Sequence, residues 1–296
     1  MTLRSIATSR RPENAKLELL IVDNGSSDDT ADWLRGVSID GVAIKILHEP
    51  VPGQCRCYNR AIRQATGDVL LFTDDDVAVP EVWIEGMTGP ILRGEADAVA
   101  GGIRLASHLH RPWIRSEHLD WLASTTHFSP GAEVTLIGAN MAVAHKVFDR
   151  IPRFDPEMGP GAVGHASDTL FSVQLQEAGF RIRAAFDVEV EHHFVSERLS
   201  RLAFKLQARK RGEFNAYIAH HWFHAHWRLP LLKLVREWCR LQVKRIMRLQ
   251  EWLAHPSSPA WELQLMEGLY TFKEYLKERR RPRNYHRHGL QRIDAC

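Results

Sequence analysis

The chain has 296 residues, of which 44% are hydrophobic and 25% charged, and its mean hydropathy is −0.29. No apolar run approaches the ~18 to 20 residues that span a bilayer, and the N-terminus lacks the apolar core of a secretory leader, so a cytoplasmic globular protein is expected. The net charge of +3 hides an asymmetry: residues 196–296 hold 21 of the 39 Lys and Arg but only 9 of the 36 Asp and Glu, and an acidic front suits a cation where a basic tail suits an anionic surface.

Along the chain, strand and helix signals alternate. Leu17 to Val22 is a short apolar run that ends in the turn Asp23-Asn24-Gly25-Ser26-Ser27, which also offers helix N-caps. A helix to about Arg35 follows, then a strand from Val42 to Leu47. Pro52-Gly53 opens a helix through Ala65 that Gly67 stops, and Asp68 to Phe72 reads as a buried strand. Its end delivers Asp74, Asp75 and Asp76. Pro80 begins a helix to about Arg93, and Asp97 to Ile103 reads as another strand. The segment Leu105 to Val134 is rich in Trp, His and Pro and is expected to loop over a site. Beyond it come a strand near Ala139 to Val143, a helix from Asp168 to Ala178, and strands at Arg181 to Ala185 and Val188 to Phe194. From Arg198 the pattern is helical, broken near Pro230 and Pro256 to Pro259, and the basic stretch from Arg279 is expected to fray. Such β-α-β-α order predicts an α/β fold, a mainly parallel sheet with helices on both faces, and ligands beyond the strands' carboxyl ends.

Three consecutive carboxylates after a buried strand repel one another unless a charge compensates them. A hard divalent cation does so, since Mg2+ and Mn2+ prefer oxygen ligands and keep room for phosphate. An acidic turn or a helix cap would use the same residues. The four cysteines lack zinc-site spacing, and Cys55 and Cys57 stand too close for an ordinary disulfide. Cys55, Cys57, Cys239 and Cys296 are therefore expected as reduced thiols.

The segments around these residues resemble glycosyltransferase family 2. Leu20 to Thr30 is similar to its VVDNGSSDGT, and Pro52 to Ile62, Thr66-Gly67-Asp68 and Thr73 to Asp76 to its PGKSRALNRAI…GDxxxFTDDD. Gly138 to Val143, Phe154 to Gly159, Ser167-Asp168-Thr169, Gly179 to Ile182 and Val190 to His193 follow its later motifs in order. The resemblance covers about residues 17 to 200 and implies a GT-A catalytic domain over 1–197, with 198–296 as a basic helical extension. It implies inverting transfer from a nucleotide-sugar donor to a hydroxyl of a saccharide, lipid-linked or small-molecule acceptor, assisted by Mn2+ or Mg2+. Asp168 would be the general base, Asp76 the metal ligand, and His192 a metal or phosphate contact, with His193 as the adjacent candidate. Asp23, Asn24, Arg56, Asn59, Asp74, Asp75 and Asn140 would contact the donor.

Three departures accompany the resemblance. The chain opens on residues similar to the helix after the family's first strand, so either the start is truncated or the donor pocket is expected to lack a wall. Ser167 stands where the family has Glu, and Gln54 where Lys is common. A catalytically silent protein that binds a membrane or a partner through the same fold is thus the alternative. In the tail, Lys233, Arg236, Arg240, Lys244 and Arg248 form a basic stripe that could lie on an anionic membrane, making the protein peripheral, or stay solvated on a packed helix. The cluster from His220 to Trp227 lacks a carboxylate partner for a metal, and no motif points to nucleic acid.

Overall fold

The protein, seen in a computed structural model, is described over residues 1–128, 134–164 and 166–293. Its elements run α1 (Thr2–Ala7), β1 (Leu17–Asp23), α2 (Thr30–Leu34), β2 (Val42–His48), α3 (Gln54–Ile62), β3 (Val69–Thr73), β4 (Val77–Ala78), α4 (Trp83–Leu92), β5 (Ala98–Leu105), α5 (Ser116–Leu119), β6 (Asn140–Ala144), α6 (Ser167–Glu177) and β7 (Ile182–His192). Four helices close the chain: α7 (Arg201–His221), α8 (Pro230–Met247), α9 (Leu249–Ala254) and α10 (Ala260–Glu278).

The α/β class and the helices on both faces are as expected. Leu70 and Phe72 of β3 point to one face, where Cys55 and Ile62 of α3 and Phe171 and Leu175 of α6 pack. Ile6 of α1 and Trp83, Ile84 and Met87 of α4 cover the other face. β5 and β6 are buried almost throughout, as central strands covered on both sides must be.

Strand direction differs from the expectation in detail. β1 and β2 pair in parallel as a separate two-stranded sheet. The main sheet has the order β3-β6-β5-β7-β4, in which only β5 and β7 run parallel. An apolar run buried on both faces reads alike in either direction, so periodicity could not decide it.

This order has a consequence for the carboxylates. β3 and β4 are the two edge strands, yet only Asp74, Asp75 and Asp76 separate them. Four peptide steps reach about 14 Å, whereas four strand spacings on a flat sheet need about 19 Å. The sheet must therefore curl at this end. A register shift between Gly101 and Gly102 marks a bulge, the usual device for bending a strand. A side chain at Gly102 would come within 2.2 Å of the Phe186 carbonyl, so only glycine fits there. The bulge also explains why β7 is one strand where the sequence suggested two.

Two further expectations are corrected. The described part of the segment after Leu105 does not lie open over a site: Leu109, Trp121 and Leu122 are buried with Phe204 of α7 and Leu263 of α10. Residues 129–133, at its far end, lie outside the described residues. The stretch from Arg279 is tied down, at least to residue 293. Tyr285 is buried and donates to Asp155 Oδ2 at 2.8 Å, where the Tyr217 hydroxyl also donates. Arg292 donates to Asp155 Oδ1 at 3.0 Å, and Arg281 to Glu157 at 2.7 Å. The histidine cluster serves the same junction, with His221 Nδ1 accepting from the Asn284 N–H and His224 Nε2 beside the Tyr285 carbonyl. Hydrophobic packing thus crosses residue 198, where the helical pattern begins.

Candidate functional site

The short β4–β7 ladder sets the geometry. Val77 pairs with His192, and the His193 N–H donates to the Asp76 carbonyl at 2.7 Å. Alternation along the strand then turns the two histidine rings to opposite sides. His192 Nε2 lies 3.3 Å from Asp76 Oδ1, while His193 pairs with Glu191 at 2.7 Å. Of the two candidates, His192 faces the carboxylates. Asp74, Asp76 and His192 each present a ligand atom, all within 4.8 Å of one another.

The turn that carries the triplet is braced from below. The Thr2 hydroxyl of α1 lies 2.6 Å from the Asp75 carbonyl and 2.7 Å from that of Val77. Asp75 itself is exposed. Gln54, at the start of α3, donates its amide to Asp74 Oδ1 at 3.0 Å. It supplies a hydrogen bond without a charge.

The two facing carboxylates are held in different states. Burial, with the charge of Asp76 beside it, pushes the Asp74 carboxyl up to about 6. Burial also acts against Asp76, but the His192 hydrogen bond and the positive charges of His192 and Arg198 outweigh it and hold that carboxyl below its usual range. Arg198 reaches Asp76 at 3.8 Å while lying over the Phe194 ring. Sequence patterning offered no signal for Arg198, which reads as one more basic residue of the tail.

Asp168 is the second residue of α6, preceded by Ala166 in the left-handed region at φ 61°. Its Oδ2 accepts from the Gly138 N–H and its Oδ1 from the Thr169 N–H, each at 2.9 Å. Burial raises its pKa, and these backbone donors pull the other way without cancelling it. The negative charge of Asp168 adds, after burial and Asp76, to what raises the Asp74 carboxyl. The buried Tyr58 hydroxyl has no hydrogen-bond partner among the described residues. A side chain on Gly138 would strike that hydroxyl at 2.7 Å.

The donor-side candidates divide. Asp23 ends β1 and caps its own turn, accepting from the Ser26 N–H at 3.0 Å, with His48 Nδ1 at 3.3 Å. Ser26 and His48 hold its carboxyl below the usual range. Arg56 is half-buried beside Gly53, and its guanidinium has no hydrogen bond or ion pair among the described residues. The three asparagines depart from the expectation because their amides are already spent. Asn24 donates to the Glu49 and Val51 carbonyls and accepts from Gly53. Asn59 clamps both backbone groups of Phe154 at 2.8 Å. Asn140 is fully buried with all three of its hydrogen bonds made. These residues build the walls of the site. Cys55 and Cys57 are free thiols pushed by burial up to about 12 and about 11, and Cys239 is free and exposed. Cys296 lies outside the described residues.

The raised Asp74 carboxyl gives a pH prediction. Divalent-cation affinity is expected to strengthen about tenfold between pH 5 and pH 7, because a ligating carboxyl must release its proton. The fold responds with the opposite sign. An acid with a raised folded pKa adds stability below about pH 6, and that contribution is lost as pH rises through it. Calorimetric titration with Mn2+ across this range checks the first statement. A flat profile removes Asp74 from the ligand set.

Comparison with known proteins finds relatives of this chain. The family model described as glycosyl transferase family 2 matches residues 1–151, just over half of the chain. Glycosyltransferase AglE of Haloferax volcanii is 33% identical over 97 residues, 32% of each chain. Succinoglycan biosynthesis protein ExoM of Rhizobium meliloti is 30% identical over 117 residues, 39% of this chain and 38% of that one. Glucosyl-3-phosphoglycerate synthase of Mycobacterium tuberculosis is 30% identical over 119 residues, 37% and 34% of the two chains. The chain thus matches little more than a third of the length of these relatives. Among solved structures, S. aureus TarS in complex with UDP is similar at a TM-score of 0.49 and 16% identity, over 94% of this chain and 85% of that one.

Proposed function

The chain belongs to glycosyl transferase family 2, and on that premise we propose that it transfers a sugar, with inversion, from a nucleoside-diphosphate sugar to an acceptor hydroxyl. The observation that carries this reading is the convergence of Asp74, Asp76 and His192, whose ligand atoms all lie within 4.8 Å of one another. The two carboxylates suit Mn2+ or Mg2+, the imidazole beside them favours Mn2+ of the two, and the repulsion within the Asp74–Asp76 pair is what a cation would relieve. A divalent cation bound there supplies positive charge for the diphosphate that departs.

The chain's own residues do the rest. Asp76, kept ionised by His192 and Arg198, is the ligand ready at neutral pH, and Asp74 joins on losing its proton. Asp75 is exposed at the same turn and faces the ribose or bound water. Arg56 brings an unpaired charge for the diphosphate, and Asp23 faces the base or ribose. Asp168 takes the proton of the acceptor hydroxyl. Its raised pKa makes it a better base than an ordinary aspartate, and the Gly138 and Thr169 N–H groups fix its two oxygens. A saccharide, a lipid-linked or a small-molecule acceptor fits this chemistry equally.

A second reading, a catalytically silent fold, draws on one observation. β1 carries Asp23 yet is hydrogen-bonded to β2 alone, apart from the sheet that carries the triplet. Calorimetry with UDP, GDP and dTDP, each with Mn2+, decides between the two. Under the transferase reading at least one nucleotide binds in a Mn2+-dependent way, and Asp76→Asn weakens that binding by about 10- to 100-fold. Unchanged binding in the variant would remove Asp76 from the metal site. No binding of any nucleotide would favour silence.

A further inference from the structure

The helices after residue 198 leave one face that the transfer reading does not use. α8 packs on α10 through Pro230, Glu237 and Leu241, the buried residues of its inner side. At about 100° per residue, Val235, Val243 and Ile246 lie on the opposite side, with Leu231 and Trp238 on the flank beside them. All five are exposed, from 49% at Val235 to 74% at Ile246. An amphipathic helix normally hides its apolar side and shows its polar one. α8 is apolar on the side that faces outward as well. The sequence reading supplied its periodicity but not which side the protein covers.

Charge borders this face on one flank. Lys233, Arg236, Arg240 and Lys244 lie between the outward apolar side and α10, with the Lys233 and Lys244 ammonium groups over the Phe272 and Trp261 rings. Glu237 is the helix's single acidic residue, and it is buried and paired with Arg236 and Arg240. The outward side therefore holds no carboxylate. α9 continues the surface with Leu249 and Leu253, 48% and 65% exposed.

We propose that the outward face of α8 and α9 docks on a bilayer surface rich in anionic lipid, with α8 lying in the plane of the interface. The apolar row then enters the headgroup–acyl boundary, Trp238 sits at the depth that indole rings favour, and the basic flank meets lipid phosphates. A second copy of the chain fits less well. A two-fold contact would bring two apolar rows together, but it would also crowd two basic flanks, with Glu251 of α9, already paired with Arg248, as the one exposed carboxylate on these two helices. A bilayer supplies both an apolar layer and negative charge. No described helix is long and apolar enough to cross a membrane, and the 18 residues of α8 lie flat over about 27 Å. This inference is independent of whether the chain transfers sugar.

Flotation of the full chain with vesicles tests it. Binding to phosphatidylcholine mixed with phosphatidylglycerol is expected to be at least about tenfold tighter than to phosphatidylcholine alone, and to weaken with salt. The double substitution Trp238→Glu with Ile246→Glu should abolish binding while melting temperature and nucleotide titration stay unchanged. Leu232→Ser with Val243→Ser serves as a milder variant should the first fail to fold. A fluorophore on the exposed Cys239 should shift to the blue on mixing with anionic vesicles only. Equal binding to both vesicle types, no binding, or binding that survives the variants would each overturn the proposal. So would a dimer in sedimentation equilibrium that the double variant dissociates, which would assign the face to a second copy.

Discussion

Replacing Asp168 with Asn is expected to lower turnover by about 10²- to 10⁴-fold, the range spanned by a positioned general base. The substitution keeps the shape of the side chain but removes its ability to take a proton. Both Asp168 oxygens accept backbone N–H bonds, from Gly138 and from Thr169, so an amide keeps one of them and loses the other, a loss of about 1 kcal/mol. A second effect opposes this. Burial raises the Asp168 pKa, so the ionised form weakens the fold once pH passes that value, and a neutral amide escapes the penalty. Melting at neutral pH should therefore move by no more than about 4 °C. Nucleotide binding should stay, because Asp76 and His192 are untouched. The parent's activity should rise with pH through the raised pKa, and the residual activity of the variant should lose that limb. Undiminished turnover would hand the base role to another group. Collapse of nucleotide binding would mean that Asp168 builds the pocket rather than doing proton chemistry in it.

What the sequence made legible follows from what each signal measures. Asp74, Asp76 and Asp168 could be nominated because they sit at ends of strands and helices, and those ends are marked by turn residues and apolar runs. His192 was separable from His193 only through the β4–β7 ladder, a pairing between segments more than a hundred residues apart. Sheet direction was hidden because β5 and β6 are apolar on both faces, and such runs look alike in any register. The tail from Arg279 read as a solvated basic stretch because its partners, Asp155 and Glu157, lie far upstream in a motif that resemblance had assigned to the front of the molecule. Likewise, helical periodicity in α8 gave a basic stripe without saying which of the remaining sides α10 would cover. Local pattern locates elements and chemistry; partners at long range decide what a polar side chain is for.

Asn140 is where that distinction can be measured. Resemblance places it among donor contacts, but its amide joins three elements. Oδ1 accepts from the Trp83 indole N–H of α4 at 2.9 Å, and Nδ2 donates to the Gly102 carbonyl at 2.8 Å and the Val188 carbonyl at 2.9 Å. The latter two flank the bulge that bends the sheet under the carboxylates. A side chain at Gly101 would come within 2.1 Å of the same amide, so backbone and side chain are fitted to each other. Asn140→Ala leaves one buried donor and two buried acceptors without partners, each at about 1–3 kcal/mol. The total, about 3–9 kcal/mol, is a large share of the 5–15 kcal/mol that usually holds a domain. A fall of 10 °C or more in melting temperature is expected. Asn140→Asp keeps the acceptor for Trp83 but aims a carboxylate at two carbonyls, so it should be no better. Whatever folded fraction of Asn140→Ala remains should bind nucleotide with loosened geometry, since the same amide braces β7, the strand that carries His192. A variant that melts like the parent yet no longer binds nucleotide would reverse the assignment and return Asn140 to the donor pocket.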